Sequence, residues 1–206
     1  MINQPYAIFD MDGTLLDSMP YWRNILAEYL GKPISKEYAE KIANINVTES
    51  VVLTVKTFNL QKSVQQVFNE MCELMNFHYL NHVTPKKGIH EYLAKLKENK
   101  VRMCVASASP RNLIQNALTH FGIAENFEFI CSTEDGFCDK RNPEIYLYCA
   151  NRFQAHPQDV AVFEDSYSAI ITAKKADFPV IAIYDETQQD NWQQIISIAD
   201  RFKINW

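Results

Sequence analysis

Four short stretches of this 206-residue chain carry side chains that can do chemistry together. In "AIFDMDGTLLDS", Asp10 and Asp12 stand two apart at the end of an apolar run and are followed by Gly13 and Thr14. On a strand that is just ending, residues two apart point the same way, so the two carboxylates share a face. Like charges that close raise one carboxyl pKa unless a cation, a lysine or a held proton compensates them. Compensation is available further along: "VAVFED" ends in Glu164 and Asp165, "MCVAS" ends in Ser107, and "CDKRNPEIY" supplies Lys140. Four carboxylates, a hydroxyl and one ammonium, with few nitrogens and no thiolate cluster, make a hard-oxygen donor set. Such a set favours Mg²⁺, which commonly bridges carboxylates and a phosphate.

These residues converge only if the chain folds so that the four stretches end at one place. Five apolar runs read as strands: Tyr6 to Phe9, "VRMCVAS", "FEFICS", "VAVFED" and "VIAIYD". Between them lie segments of helical period, such as "GIHEYLAKLKENK" with Ile89, Leu93 and Leu96 on one face, "PRNLIQNALTHFGI", "PEIYLYCANRF" and "SYSAIITAKKA". β-Branched strands alternating with helices of this length predict an α/β fold, a doubly wound, Rossmann-like parallel sheet covered on both faces. In such sheets ligands sit beyond the carboxyl ends of the strands, where the four stretches end.

Residues 19–84 break the rhythm, with helices and no strands. "PYWRNILAEYL" ends at Gly31, "SKEYAEKIA" follows, "NVTESVVLTVKTF" opens with a capping pattern at Asn46 and Glu49, and a long segment starts with a Ser63/Gln66 capping box. The expected organisation is an α/β core of residues 1–18 and 85–206 with an inserted helical cap domain, residues 19–84. Its connections, near Leu15 to Ser18 and Thr84 to Gly88, are positioned to serve as a hinge.

Composition excludes several classes. With 47% hydrophobic residues the chain can bury a full core, and a net charge of −5 without a basic run makes nucleic acid and anionic membranes poor partners. Five cysteines without a C-x-x-C pair read as reduced thiols of a cytoplasmic protein, packed as small hydrophobes. No segment has the character of an export signal or a membrane span.

The ordered set "DMDGT", Ser107 of "VASAS", Lys140 of "DKRNPE" and Glu164 to Ser166 of "EDS" resembles, in order and spacing, the four signature motifs of the haloacid dehalogenase superfamily. The helical insertion after the first motif is similar to the subfamily of phosphoglycolate-type phosphatases and β-phosphoglucomutases. Relatives usually have a Gly before the lysine, a Pro after it and a Gly five residues beyond the glutamate of the fourth motif; this chain has Asp139, Arg141 and Ala169.

The resemblance implies a role for each residue. Asp10 is the nucleophile that forms an aspartyl-phosphate, and Asp12 is the general acid and then base, its carbonyl facing the metal. Asp165 is a direct ligand of Mg²⁺, with Glu164 beside it or acting through water. Ser107 and the Ala108 amide hold phosphoryl oxygens, and Lys140 offsets the charge of nucleophile and phosphate. Dehalogenase chemistry is disfavoured, because that branch lacks the second aspartate that Asp12 supplies.

Taken singly, these residues have plainer readings: a turn hydroxyl for Ser107, a solvated charge for Lys140, a helix-start pair for Glu164 and Asp165. His78 and His82, four apart on a helix, are read as a solvated face, since no third metal ligand accompanies them. Trp22 is the first candidate for a substrate contact from the cap, against a packing role. The implied activity is a Mg²⁺-dependent phosphatase acting on a small phosphorylated metabolite, as a monomer or weak homo-oligomer. The alternatives are a mutase of the β-phosphoglucomutase type and a non-catalytic binding module. In those mutases a histidine follows the first motif and an arginine stands in the cap; aligned without gaps, these positions hold Trp22 and, nearby, Val47, and no arginine lies between Arg23 and Arg102. Water is therefore the expected acceptor.

Overall fold

The computed structural model describes every residue except Met1, Asn44, Asn46 and Cys138. In chain order, β1 (Tyr6–Phe9) is followed by four helices, α1 (Met19–Leu30), α2 (Lys36–Ala43), α3 (Val47–Thr57) and α4 (Val64–Asn81). Strands and helices then alternate: α5 (Ile89–Glu98), β2 (Arg102–Ser107), α6 (Arg111–His120), β3 (Phe129–Ser132), α7 (Glu144–Phe153), β4 (Val160–Glu164), α8 (Tyr167–Lys175), β5 (Val180–Ile183), α9 (Trp192–Ile198) and β6 (Arg201–Lys203). The chain divides into two compact units, Met1–Met19 with Val83–Trp206, and Pro20–His82.

The first unit holds one six-stranded sheet of parallel strands in the order β3-β2-β1-β4-β5-β6. This is a doubly wound α/β arrangement whose order reverses at β1, the switch point where such sheets bind ligands. Ala7, Ile8 and Phe9 have no exposed surface, because β1 is central and covered on both faces; hence its unbroken apolar run. Sequence periodicity predicts five strands, and the sheet has six. Strand β6 is three residues long with a charge at each end, too short for a period-two pattern, and it forms by pairing with β5 from Ile181↔Arg201 onward. Helix α9, seven residues long, was likewise not legible.

Register decides what leaves the sheet together. Phe9 lies opposite Val105 on β2 and Phe163 on β4, and the Asp10 amide donates to the Phe163 carbonyl at 3.0 Å. The Phe9 and Phe163 rings stack at 4.3 Å with an interplanar angle of 1°. Asp10 and Glu164 therefore emerge side by side. Cys104, Cys131 and Cys149 are buried in the core as free thiols, consistent with their reading as small hydrophobes; Cys72 is half-buried, and Cys138 lies outside the described residues.

The points where the chain leaves and re-enters this unit are joined. Asp17 N donates to Thr84 O at 2.9 Å, Lys86 N donates to Leu15 O at 2.9 Å, and Leu16 bridges Pro85 in antiparallel sense. The Lys86 ammonium also donates to Asp185 at 2.7 Å.

The second unit is helical. Its interior includes Ile25, Leu26, Val51, Val67, Met75 and Tyr79, and α4 opens with the reciprocal Ser63–Gln66 cap. The capping pattern at Asn46 lies outside the described residues. The reading of His78 as solvated is corrected: it is buried, with Nε2 at 2.7 Å from Glu28 Oε2 and its ring 4.8 Å from that of Tyr21. Its place between Met75 and Tyr79 puts it on the apolar side of α4, whereas His82 is exposed. Among the described residues, no helix is long and apolar enough to cross a membrane.

Candidate active site

Four of the singled-out groups meet at the carboxyl ends of β1 and β4. Asp10, Glu164 and Asp165 are 7%, 1% and 2% exposed, and one oxygen from each lies within 4.8 Å of the others. Among the described residues this is the only such cluster of potential metal ligands. Lys140 enters from the loop before α7 and donates to both Asp10 Oδ1 and Glu164 Oε1. Buried charges this dense persist only when paired and hydrogen-bonded.

The electrostatics follow from that crowding. Burial, reinforced by Glu164 and Asp12 and opposed by Lys140, pushes the Asp10 carboxyl up to about 8. Burial, with Asp10, Glu164 and Asp185 adding to it, also drives Asp165 well above the ordinary aspartate value. For Lys140 burial works against the charge, but Asp10 and Glu164 outweigh it and hold the ammonium above its usual range. One lysine does not neutralise three buried carboxylates, and an all-oxygen donor set of this kind suits a hard divalent cation.

The loop after β1 is shaped for this approach. Gly13 has φ +85, and a Cβ there would lie 2.5 Å from Asp165 Oδ2 and 2.9 Å from Met19 Cγ, so only glycine fits. Thr14, fully buried, donates its hydroxyl to Asp165 Oδ1 at 3.2 Å.

Asp12 is held by two serine hydroxyls. Its Oδ1 accepts from Ser18 Oγ at 2.6 Å and its Oδ2 from Ser109 Oγ at 2.7 Å. Ser109 belongs to the loop that follows Ser107 and Ala108. Within that loop Ser107 Oγ accepts from Ser109 N at 3.1 Å, while Ser132 and Thr133 at the end of β3 donate to the carbonyls of Ser109 and Ala108 at 2.8 and 3.0 Å. The motif-two loop is thereby tied to Asp12 on one side and to β3 on the other. Trp22 lies in the second unit, where its indole donates to Tyr79 Oη at 3.1 Å.

Sequence reasoning missed three supports. Ser109 and Ser18 were signalled only by their spacing from Ser107 and Asp12. Tyr146, which donates from α7 to Glu164 Oε1 at 2.9 Å, reads in sequence as one more apolar-face residue. Burial and the adjacent Glu164 carboxylate push its phenol well above the ordinary range, so it stays a donor. Lys140 is flanked by a clamp: Arg141 donates from its backbone N to Asp139 Oδ1 at 2.8 Å and from its guanidinium to Oδ2 at 2.9 and 2.6 Å.

The model of the haloacid dehalogenase-like hydrolase family matches residues 7–183. Hexitol phosphatase B of Escherichia coli is 30% identical over 195 residues, 89% of this chain and 86% of its own. The phosphorylated carbohydrates phosphatase of Thermotoga maritima is 26% identical over 173 residues, 82% of this chain and 80% of its own. Among solved structures, CbbY from Rhodobacter sphaeroides in complex with xylulose-(1,5)bisphosphate shares the fold at a TM-score of 0.82, with 20% identity over 98% of this chain and 94% of that one. A family match spanning most of the chain, on a sheet whose strand ends carry a buried acidic cluster, establishes that this protein belongs to the haloacid dehalogenase-like hydrolases.

Proposed function

We propose that this protein hydrolyses the phosphomonoester of a small phosphorylated metabolite through a phosphoryl-aspartate on Asp10, with Mg²⁺ as cofactor. That it is a phosphatase follows from its family and its relatives; the intermediate, the metal and the individual roles are our reading of the site. The observation that carries it is the placement of Asp10, a buried carboxylate at a strand end, with Lys140 on one oxygen and Asp165 and Glu164 beside it.

Asp10 and Asp165 would hold Mg²⁺ together with Glu164, and the Asp12 carbonyl is the further oxygen we assign to it. The ion supplies positive charge against the transferring phosphoryl group. Asp10 attacks phosphorus, and Lys140 neutralises charge on nucleophile and phosphate. Ser107 and the Ala108 amide are assigned to the phosphoryl oxygens. Asp12, which accepts from Ser18 and Ser109, is the group we assign to protonate the leaving oxygen and then to take a proton from the attacking water. The assignment of Trp22 to the substrate rests on its place in the sequence shortly after the first motif. The relatives act on phosphorylated carbohydrates and hexitols by name, and a phosphorylated sugar or polyol is the substrate class we favour here. A mutase would need a cation for a second phosphate, and the stretch between Arg23 and Arg102 offers no arginine.

A panel of phosphorylated metabolites, assayed for released phosphate with Mg²⁺ and with EDTA, tests the proposal. Metal-dependent release from at least one monophosphate is expected. Activity that survives EDTA would overturn the metal reading, and conversion of a hexose 1-phosphate to the 6-phosphate faster than phosphate release would overturn the hydrolytic one.

A further inference from the structure

Trp206 lies 192 positions from Thr14 in sequence, yet its indole Nε1 donates to the Thr14 carbonyl at 3.1 Å. Thr14 is the residue whose hydroxyl holds Asp165. The Trp206 ring also packs on Phe163 and Phe9, centroids 5.4 and 5.9 Å away, and on Tyr92 at 4.9 Å. Phe9 and Phe163 immediately precede Asp10 and Glu164, so one side chain touches the backbone or the preceding residue of each loop that presents a carboxylate. Its own backbone is fixed as well: Trp206 N donates to Lys87 O at 3.3 Å, and Gly88, at φ +89, lies so close that a Cβ there would sit 2.8 Å from the Trp206 carbonyl oxygen. An indole can pack on two phenyl rings and still reach a carbonyl with its N–H, a combination that neither Phe nor Leu provides.

We infer that Trp206 is a positioning residue for the cation-binding face of the site, acting through Thr14 on Asp165. The inference rests on the reading of Asp10 and Asp165 as cation ligands. Partners of metal ligands typically change affinity 10- to 100-fold when removed, and a residue one step further out is expected to give about three- to tenfold.

The test uses Mn²⁺ as probe, with direct binding measured by electron paramagnetic resonance alongside kcat and KM. Trp206→Phe keeps most of the packing and removes the donor; Mn²⁺ should bind about three- to tenfold more weakly, with substrate KM at saturating metal unchanged within about twofold. Thr14→Val removes the hydroxyl that contacts Asp165 and should weaken binding by itself. In the Thr14→Val background Trp206→Phe should then have little further effect, since coupled residues are not additive. A Trp206→Phe protein that binds Mn²⁺ like the wild type, or an effect that adds fully to that of Thr14→Val, overturns the inference while leaving the site intact. Wild-type protein that binds no Mn²⁺ overturns the cation site itself, and the inference with it.

Discussion

The crowding around Asp10 makes an unusual expectation: replacing its carboxyl with a group that cannot ionise should stabilise the metal-free protein. In the folded state the Asp10 carboxyl stays protonated up to about pH 8, whereas the unfolded chain ionises it near 3.8. An acid whose folded value is raised binds more protons folded than unfolded between those limits, so its contribution to stability falls as pH rises through that window. At about 1.36 kcal/mol per pH unit, the loss is small at pH 5 and grows to roughly 4 kcal/mol at pH 7. Asp10→Asn replaces the neutral acid with a neutral amide of nearly the same shape and escapes this loss. Urea unfolding in EDTA at pH 5, 6 and 7 should show the variant more stable than wild type by an amount that grows with pH, while turnover is abolished. Carboxylates held below their ordinary values, such as Asp139 and Asp200, are present in both proteins and cancel in the difference, whereas Asp165, raised in part by Asp10, is relieved in the variant and shifts the difference in the same direction. Mg²⁺ added to the wild type should narrow the gap, because a ligand of the ionised site stabilises only the folded form. A difference that stays constant between pH 5 and 7, or a variant less stable than wild type at pH 7, refutes the reasoning.

Other expectations are simpler. If Asp12 is the general acid–base group, Ser109→Ala, which removes a hydroxyl on Asp12, should lower kcat by about tenfold, part of the 10²- to 10⁴-fold such help supplies, whereas Asp12→Ala should lose all of it; equal rates for wild type and Ser109→Ala would free Asp12 of that support. Tyr146→Phe leaves Glu164 without one charge-assisted bond and should lower stability by about 1.5 to 3 kcal/mol, read from the denaturation midpoint. Arg141→Ala opens the clamp around Lys140; kcat should fall several-fold with far-UV circular dichroism unchanged, and an unaltered kcat would show that the loop holds Lys140 without it. Trp22→Ala should alter the ranking of substrates by kcat/KM, and an unaltered ranking would leave it the packing role suggested by its bond to Tyr79.

What could be read before folding was what depends on local period and motif order. The α/β alternation, the helical insertion and the Ser63–Gln66 cap are local signals and were legible. The convergence of Asp10, Lys140 and Asp165 was inferable because parallel strands end on one side of a sheet. Strand β6 was not, since three residues held by one neighbour carry no pattern of their own. Tyr146 was hidden because a buried tyrosine on an apolar helix face looks like core until a carboxylate is found at its hydroxyl. Ser109 was hidden because small hydroxyls acquire meaning only from what lies across from them. His78 shows the reverse error: a polar residue at an apolar position of α4 reads as surface, and its partner Glu28 lies on a different helix.

The paired exit and re-entry points of the inserted unit have an engineering consequence. The bonds between Asp17 and Thr84 and between Leu15 and Lys86 make Pro20–His82, topologically, the loop of a β-hairpin. A hairpin tolerates replacement of its loop, and exchanging this long one for a turn of about four residues would reduce the entropy of loop closure by about 2.5 kcal/mol. The sheet, the four motifs and Ser18 would remain in a continuous chain. Such a minimal protein would separate the chemistry of the strand ends from whatever selectivity the excised helices supply, and domains grafted between Met19 and Val83 would offer a route to new substrate preferences on an unchanged catalytic base.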